Sequence, residues 1–343
     1  MEQALRHKLE KPHELEIQQK SPLASGEGTS QESRQEPEKL VTRKDSKKTV
    51  KVKFGTWNVG SMKLKNDGEI VVPNGGRSLN MTKFMENKEL KALSVQETKL
   101  VGEGEVILDE EFGGEYKMYY IGESTRKNGV GIILHSDLQK NVKVDRVSDR
   151  LIVLTFMKYD KVWHIISAYA PHQGHSAAVK RKFMEELEEY VRLFPESDII
   201  VLCGDMNAHV GESSDGYEGV HGGSGFGIRN PEGGRLLKLA KTLNMAVVNT
   251  YFEKEGRYRI TYKNNKNETQ TDHILLGKDH LGFIEDCEAI PDGFDEILQH
   301  KLLVAEFLVK NDNEGEDQNL FDFSDKNNNV GEDQNLDENN NEW

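Results

Sequence analysis

Between residues 50 and 310 short apolar runs alternate with clusters of glycine, asparagine and aspartate, the pattern of strands joined by turns. The runs predict strands at 52–59, 93–98, 117–122, 129–135, 150–157, 162–170, 198–206, 245–250, 259–263, 271–277 and 302–309. Three stretches have helical character instead, at 77–90, 176–193 and 233–244. The second carries apolar residues at 179, 183, 187, 190 and 191, which share one helix face. Many strands and few helices predict an α/β fold over 50–310, a four-layered α/β sandwich of two mixed β-sheets flanked by helices.

The pattern fails at both ends. Residues 1–48 are rich in Glu, Lys, Gln and Ser, with too little apolar surface to offset chain entropy, and are expected to be a disordered arm. The arm ends in the basic cluster RKDSKK (43–48), which reads as a solvated run, a nuclear-import signal or a phosphate-contacting arm. Residues 311–343 form an acidic, Asn-rich tail in which NEGEDQNL (313–320) recurs approximately as VGEDQNLD (330–337), and this too is expected to be disordered.

Composition sharpens this picture in two respects. No apolar run approaches the ~18–20 residues of a membrane span, and the N-terminus has no signal-peptide core, so a soluble protein of nucleus or cytoplasm is expected. Only two cysteines are present, Cys203 and Cys287, and reduced structural thiols fit that compartment. The net charge of −14 argues at first against a polyanionic partner. However, the tail has 11 acidic residues and one lysine, a net of −10, which leaves −4 for everything before it.

Candidate chemistry sits where the apolar runs stop. Ile199–Leu202 leads through Cys203 and Gly204 to Asp205 and Asn207, which an extended segment would project to one side. Asn58, Glu97, Tyr169 and Asp272 also close or border predicted strands, and His300 just precedes the last one. Strand-end loops are where α/β scaffolds carry their sites. His172, His209 and His273 lie beside these motifs without metal-ligand spacing and are assigned structural or solvated roles.

In this order, an Asn, the glutamate of QETK, a Tyr before Ala-Pro, a G-D-x-N pair, an Asp and a late His, the set resembles the endonuclease/exonuclease/phosphatase superfamily over about 51–309. RKNGVGIIL (126–134), YAPH (169–172), GDMNAHVG (204–211) and QTDHILL (270–276) are similar to the endonuclease domains of RTE-type non-LTR retrotransposons. No reverse-transcriptase domain follows, so a truncated or host-adopted endonuclease module is expected. The resemblance implies a DNase I-like fold and metal-assisted hydrolysis of DNA that nicks one strand, leaving 3′-hydroxyl and 5′-phosphate ends.

Under that resemblance Glu97 and Asn58 are the metal residues, with Mg²⁺ or Mn²⁺ as cofactor. Asp205 would be the general base, and Asn207 would orient water or phosphate. Tyr169 and His300 would stabilise developing charge, while Asp272 fixes the His300 ring and favours its charged form. The last motif reads Leu298–Gln299–His300 where the superfamily usually has Ser-Asp-His, so weaker metal binding is expected. Gly60 stands where some members carry an aspartate near the metal, and Tyr262 where some abasic-site enzymes carry a tryptophan. Two other readings share the same fold. One is a catalytically silent binding module whose acidic tail contacts basic proteins; the other is a phosphoesterase acting on RNA or another phosphodiester.

Overall fold

The computed structural model describes residues 48–64, 70–74, 77–108, 114–291 and 298–311. The basic cluster, apart from Lys48, and the acidic tail with its repeat, apart from Asn311, lie outside the described residues. Strand β1 (Lys48–Asn58) is followed by a small meander, β2 (Lys63–Leu64), β3 (Ile70–Asn74) and β4 (Arg77–Asn80), and by helix α1 (Met81–Asn87). Next come β5 (Leu90–Gln96), β6 (Gly102–Leu108), β7 (Tyr116–Gly122), β8 (Val130–His135), β9 (Lys143–Ser148), β10 (Leu151–Lys158) and β11 (Lys161–Tyr169). Helix α2 (Ala177–Val191), β12 (Ile199–Asp205), helix α3 (Pro231–Thr242), β13 (Met245–Val247) and the one-turn helix α4 (Gly256–Arg259) follow. The chain then closes with β14 (Tyr262–Lys263), β15 (Glu268–Thr269), β16 (Asp272–Gly277), β17 (Ile284–Ile290) and β18 (Leu302–Asn311).

Two mixed sheets carry the architecture. A seven-stranded sheet runs β17-β18-β1-β5-β8-β7-β6 and a six-stranded sheet runs β13-β16-β12-β11-β10-β9. Site residues are carried by the two parallel pairs, β1 with β5 and β11 with β12, and by the antiparallel pair β12 with β16. Between the sheets lies an apolar layer containing Phe54, Ala92, Ile132, Leu154, Trp163, Val201, Ile274 and Phe307. Helices α2 and α3 cover the outer face of the second sheet through Phe183, Leu187, Leu236 and Leu237, against Val153, Ile166 and Leu202. The outer face of the first sheet is covered by Met81, Phe84 and Met85 of α1, packed with Leu93, Val95 and Met118. Four layers result, as the hydrophobic pattern predicts. Among the described residues no helix is long and apolar enough to cross a membrane.

Helix boundaries follow their caps. Ser176 accepts from Val179 N at the start of α2, and Asn230 accepts from Gly233 N at the start of α3, with Pro231 in the first turn. The helix predicted at 77–90 is shorter: residues 77–80 pair with β3, and Asn80, in extended geometry, caps α1 by accepting from Lys83 N. The strand predicted at 259–263 is instead the end of α4 followed by the two-residue strand β14. Strands β6, β9 and β17 are absent from the hydrophobic pattern because each lies at a sheet edge, where one or both faces meet solvent and few apolar positions are needed.

Candidate active site

Strand periodicity explains why polar groups from both sheets converge. Val52 and Phe54 on β1, Ala92 on β5, Trp163 and Ile165 on β11, Ile199, Val201 and Cys203 on β12, and Leu276 and Ile274 on β16 all face the inter-sheet layer. Counting on in twos, these stripes reach Asn58, Gln96, Tyr169, Asp205 and Asp272. Registry then aligns them: Asn58 pairs with Gln96, Tyr169 with Asp205, and Asp205 with Asp272. The site is therefore the last rung of the core, where apolar side chains give way to polar ones.

Two backbone features complete the rung. Strand alternation would turn Glu97 away from the face that Gln96 occupies, but Glu97 takes a left-handed φ of 53°. Its carboxylate thereby reaches Asn58 Nδ2 at 3.0 Å and the Tyr169 hydroxyl at 2.8 Å, both donating to Oε1. Gly204 answers a different need. A Cβ there would lie 1.8 Å from the Ala168 carbonyl oxygen, so only glycine lets β12 approach β11 this closely ahead of Asp205.

Asn58 is the hub of the network. Its Nδ2 donates to Glu97 Oε1 and to Asp205 Oδ2, each at 3.0 Å, while its Oδ1 accepts from Gly60 N. Two carboxylate acceptors and one backbone donor fix this orientation, so Asn58 presents nitrogen to the acids and tethers one to the other. Lys99, also at left-handed φ, places its ammonium 3.3 Å from Glu97 Oε2 and donates to the Gly60 carbonyl. Burial opposes ionisation of Glu97, but the hydrogen bonds from Asn58 and Tyr169 and the charge of Lys99 outweigh it and hold the carboxyl below its usual range.

Just ahead of β18 of the first sheet, His300 reaches across to the second: its Nδ1 lies 2.9 Å from Asp272 Oδ2 and its Nε2 3.8 Å from Asp205 Oδ2. Burial works against the imidazolium, yet the carboxylates of Asp272 and Asp205 prevail and raise the His300 pKa. Burial pushes the Asp205 carboxyl up, the His300 charge opposes this, and Asp272 adds to the rise. Burial and the Glu97 charge keep the Tyr169 phenol protonated far beyond its normal range. Asp205, Asp272 and His300 offer ligand atoms within 4.8 Å of one another, and Asp272 Oδ1 is buried without a hydrogen-bond partner. Buried carboxylate oxygens of this kind suit a hard divalent cation.

All seven residues singled out in the sequence thus lie in or beside one network, but Asn207 gets there by another route than extended alternation. Strand β12 ends at Asp205, and Asn207 is left-handed at φ 46°. Its backbone N donates to Asp205 Oδ1 at 3.0 Å and its Nδ2 to the Ala170 carbonyl at 2.8 Å, a tight turn that grips the carboxylate. His273 is structural: Nε2 meets the Ala208 carbonyl at 2.8 Å and Nδ1 meets Asn249 Nδ2 at 3.2 Å.

Several supporting residues escape the sequence reading. The Thr261 hydroxyl accepts from the backbone N of both Thr271 and Asp272 at 3.0 Å, fixing the start of β16. Trp57 Nε1 donates to the His300 carbonyl, and the Tyr262 ring stands edge-on to the His300 ring with centroids 4.8 Å apart. Arg150 donates to the Tyr169 carbonyl and lies 5.0 Å from its ring centroid. Of these, Tyr262 is marked in the sequence only as standing at a tryptophan position, and Trp57 abuts Asn58 in TWNV.

No family model matches the chain. Craniofacial development protein 2 of Bos taurus is 29% identical over 261 residues, covering 75% of this chain and 41% of that protein, so the chain spans about two fifths of the length of this curated relative. An AP endonuclease from Archaeoglobus fulgidus superposes with a TM-score of 0.53 at 20% identity, over 75% of this chain and 99% of that one. The endonuclease domain of TRAS1, a telomere-specific non-LTR retrotransposon, does so with a TM-score of 0.51 at 10% identity, over 76% and 99%. The chain has a DNase I-like α/β-sandwich fold and is similar in sequence to craniofacial development protein 2.

Proposed function

We propose that the protein is a metal-dependent endonuclease that hydrolyses a DNA phosphodiester by attack of water, nicking one strand to leave 3′-hydroxyl and 5′-phosphate ends. The observation that carries this reading is the convergence of Asn58, Glu97, Tyr169, Asp205, Asp272 and His300 from two sheets into one network. Glu97 would hold Mg²⁺ or Mn²⁺ with Asn58 beside it, and such an ion when bound neutralises phosphate charge and acidifies a nearby water.

The chain's own groups supply the rest. Asp205, its carboxyl raised by burial, is suited to take a proton from the attacking water near neutral pH. Asn207 holds that carboxylate through its backbone N and keeps Oδ1 to accept from the water. Tyr169 remains a phenol, and its one proton, given to Glu97 Oε1 here, can swing to charge developing on the phosphate. His300, kept charged by Asp272, can do the same through Nε2.

The test is nicking of supercoiled plasmid. Open-circular product should appear with Mg²⁺, disappear with chelator, and be absent for Asp205→Ala. A purified, folded wild type that leaves the plasmid intact with both Mg²⁺ and Mn²⁺ overturns the reading.

A further inference from the structure

On β1 and β11 the inter-sheet stripes turn polar one rung before the site, and on β5 Gln96 stands in the site's own rung, paired with Asn58. Thr56 and Ser167 stand two residues ahead of Asn58 and Tyr169, Gln96 stands one ahead of Glu97, and all three are fully buried. Gln96 Nε2 donates to Thr56 Oγ1 on its own sheet at 3.1 Å and to Ser167 Oγ on the opposite sheet at 3.1 Å. The Thr56 hydroxyl lies 3.3 Å from Gln96 Oε1, and the Ser167 hydroxyl donates back to the Val95 carbonyl of the first sheet at 3.3 Å. Because Ser167 gives its proton to Val95, it can only accept from Gln96, which settles the orientation of the amide.

Apolar contacts between sheets are non-directional and set no unique offset, whereas hydrogen bonds weaken steeply with distance and angle. Half of the site stands on each sheet: Asn58 and Glu97 on or just beyond the strands of one, Tyr169 and Asp205 at the strand ends of the other. We infer that Gln96 is a positioning residue whose amide fixes the separation and offset of the two sheets directly beneath the site. It thereby sets the distances from Asn58 to Asp205 and from Tyr169 to Glu97. The catalytic consequence rests on the hydrolytic reading above; the geometric one does not. A misplacement of about 1 Å can cost ~10²-fold in rate, so small slippage between the sheets would be felt.

Gln96→Met keeps the side-chain length and removes the amide. A second variant, Thr56→Val/Gln96→Met/Ser167→Ala, exchanges the whole bridge for apolar groups and leaves no orphaned hydroxyl, so it folds even where the single change does not. In crystal structures of either variant, Asn58 Nδ2–Asp205 Oδ2 and Tyr169 Oη–Glu97 Oε1 should lengthen from 3.0 and 2.8 Å to beyond ~3.5 Å. On plasmid, kcat should fall ~10- to 100-fold with KM within about twofold, a split that general loss of folded protein does not mimic. Both distances retained in a folded variant, or kcat unchanged from an active wild type, overturns the inference. Lengthened distances in a protein whose wild type cleaves nothing uphold the positioning role and overturn the hydrolytic reading instead.

Discussion

His300 Nδ1 lies 2.9 Å from Asp272 Oδ2, and that carboxylate is wholly buried. The contact fixes the ring, turns Nε2 toward Asp205, and raises the imidazole pKa above its usual ~6.5. A group raised in this way is charged below the raised value and loses its charge as pH climbs through it. If the charged form is the active one, hydrolysis has an alkaline limb set by His300.

Asp272→Asn should therefore lower hydrolysis by ~10²-fold or more and move that alkaline limb toward lower pH by about one unit or more. Rates on plasmid measured from pH 6 upward, in both proteins, decide the matter. An unmoved limb would assign the titration to another group.

Glu97→Gln preserves shape and most of the network's hydrogen-bonding geometry while removing the charge. The variant is expected to fold normally by circular dichroism and to lose ~10²-fold or more of its Mg²⁺-dependent cleavage. Wild-type rates at ordinary Mg²⁺ would show that Glu97 is not the metal residue.

Gly204→Ala is expected to be far more damaging than its chemistry suggests. The added methyl would stand 1.8 Å from the Ala168 oxygen, so β11 and β12 must separate at the site. We expect a loss of more than about 4 kcal/mol in urea-unfolding stability, the range reserved for a backbone that cannot accept a substitution. A midpoint near wild type would mean that the sheet opens there at little cost.

His273 predicts a pH dependence of stability that is independent of catalysis. Its Nδ1 faces the Asn249 amide nitrogen and its Nε2 the Ala208 carbonyl, so the neutral ring is satisfied and protonation at Nδ1 would set donor against donor. Burial lowers its pKa to about 4 from 6.5. Between those values the unfolded chain binds a proton that the folded one refuses, so stability is whole above about pH 6.5 and falls toward pH 4. The fall attributable to this ring is up to about 3 kcal/mol. Urea titrations of wild type and His273→Gln across that window should show a shallower decline in the variant.

The candidate site was legible because each of its members closes or borders an apolar run. Asp205 is the clearest case, since Ile199, Val201 and Cys203 already point between the sheets and the aspartate continues their parity. Glu97 is different: QETK marks it, but only the left-handed backbone brings it onto the face of Gln96. Asn207 is marked for a reason that does not hold, because the chain turns at Asp205 rather than staying extended. Periodicity places Gln96 on the inter-sheet face but says nothing of its role, and Thr261 it does not mark at all, since what these two do depends on partners 10 to 71 positions away in the chain. Edge strands β6, β9 and β17 are hidden for the converse reason, having too little to bury.

The pairing of β1 with β18, Thr49 opposite Lys310, has a temporal side. The strand that leads to Asn58 finds its antiparallel neighbour only after the strand that follows His300 has been made. Asn58 must likewise wait for Asp205, 147 positions later. Contacts so distant along the chain form late in folding. A nascent or broken chain lacking the segment after residue 299 therefore carries Glu97 and Asp205 without a closed first sheet or the imidazole, so the arrangement that would cut a phosphodiester exists only in the finished molecule.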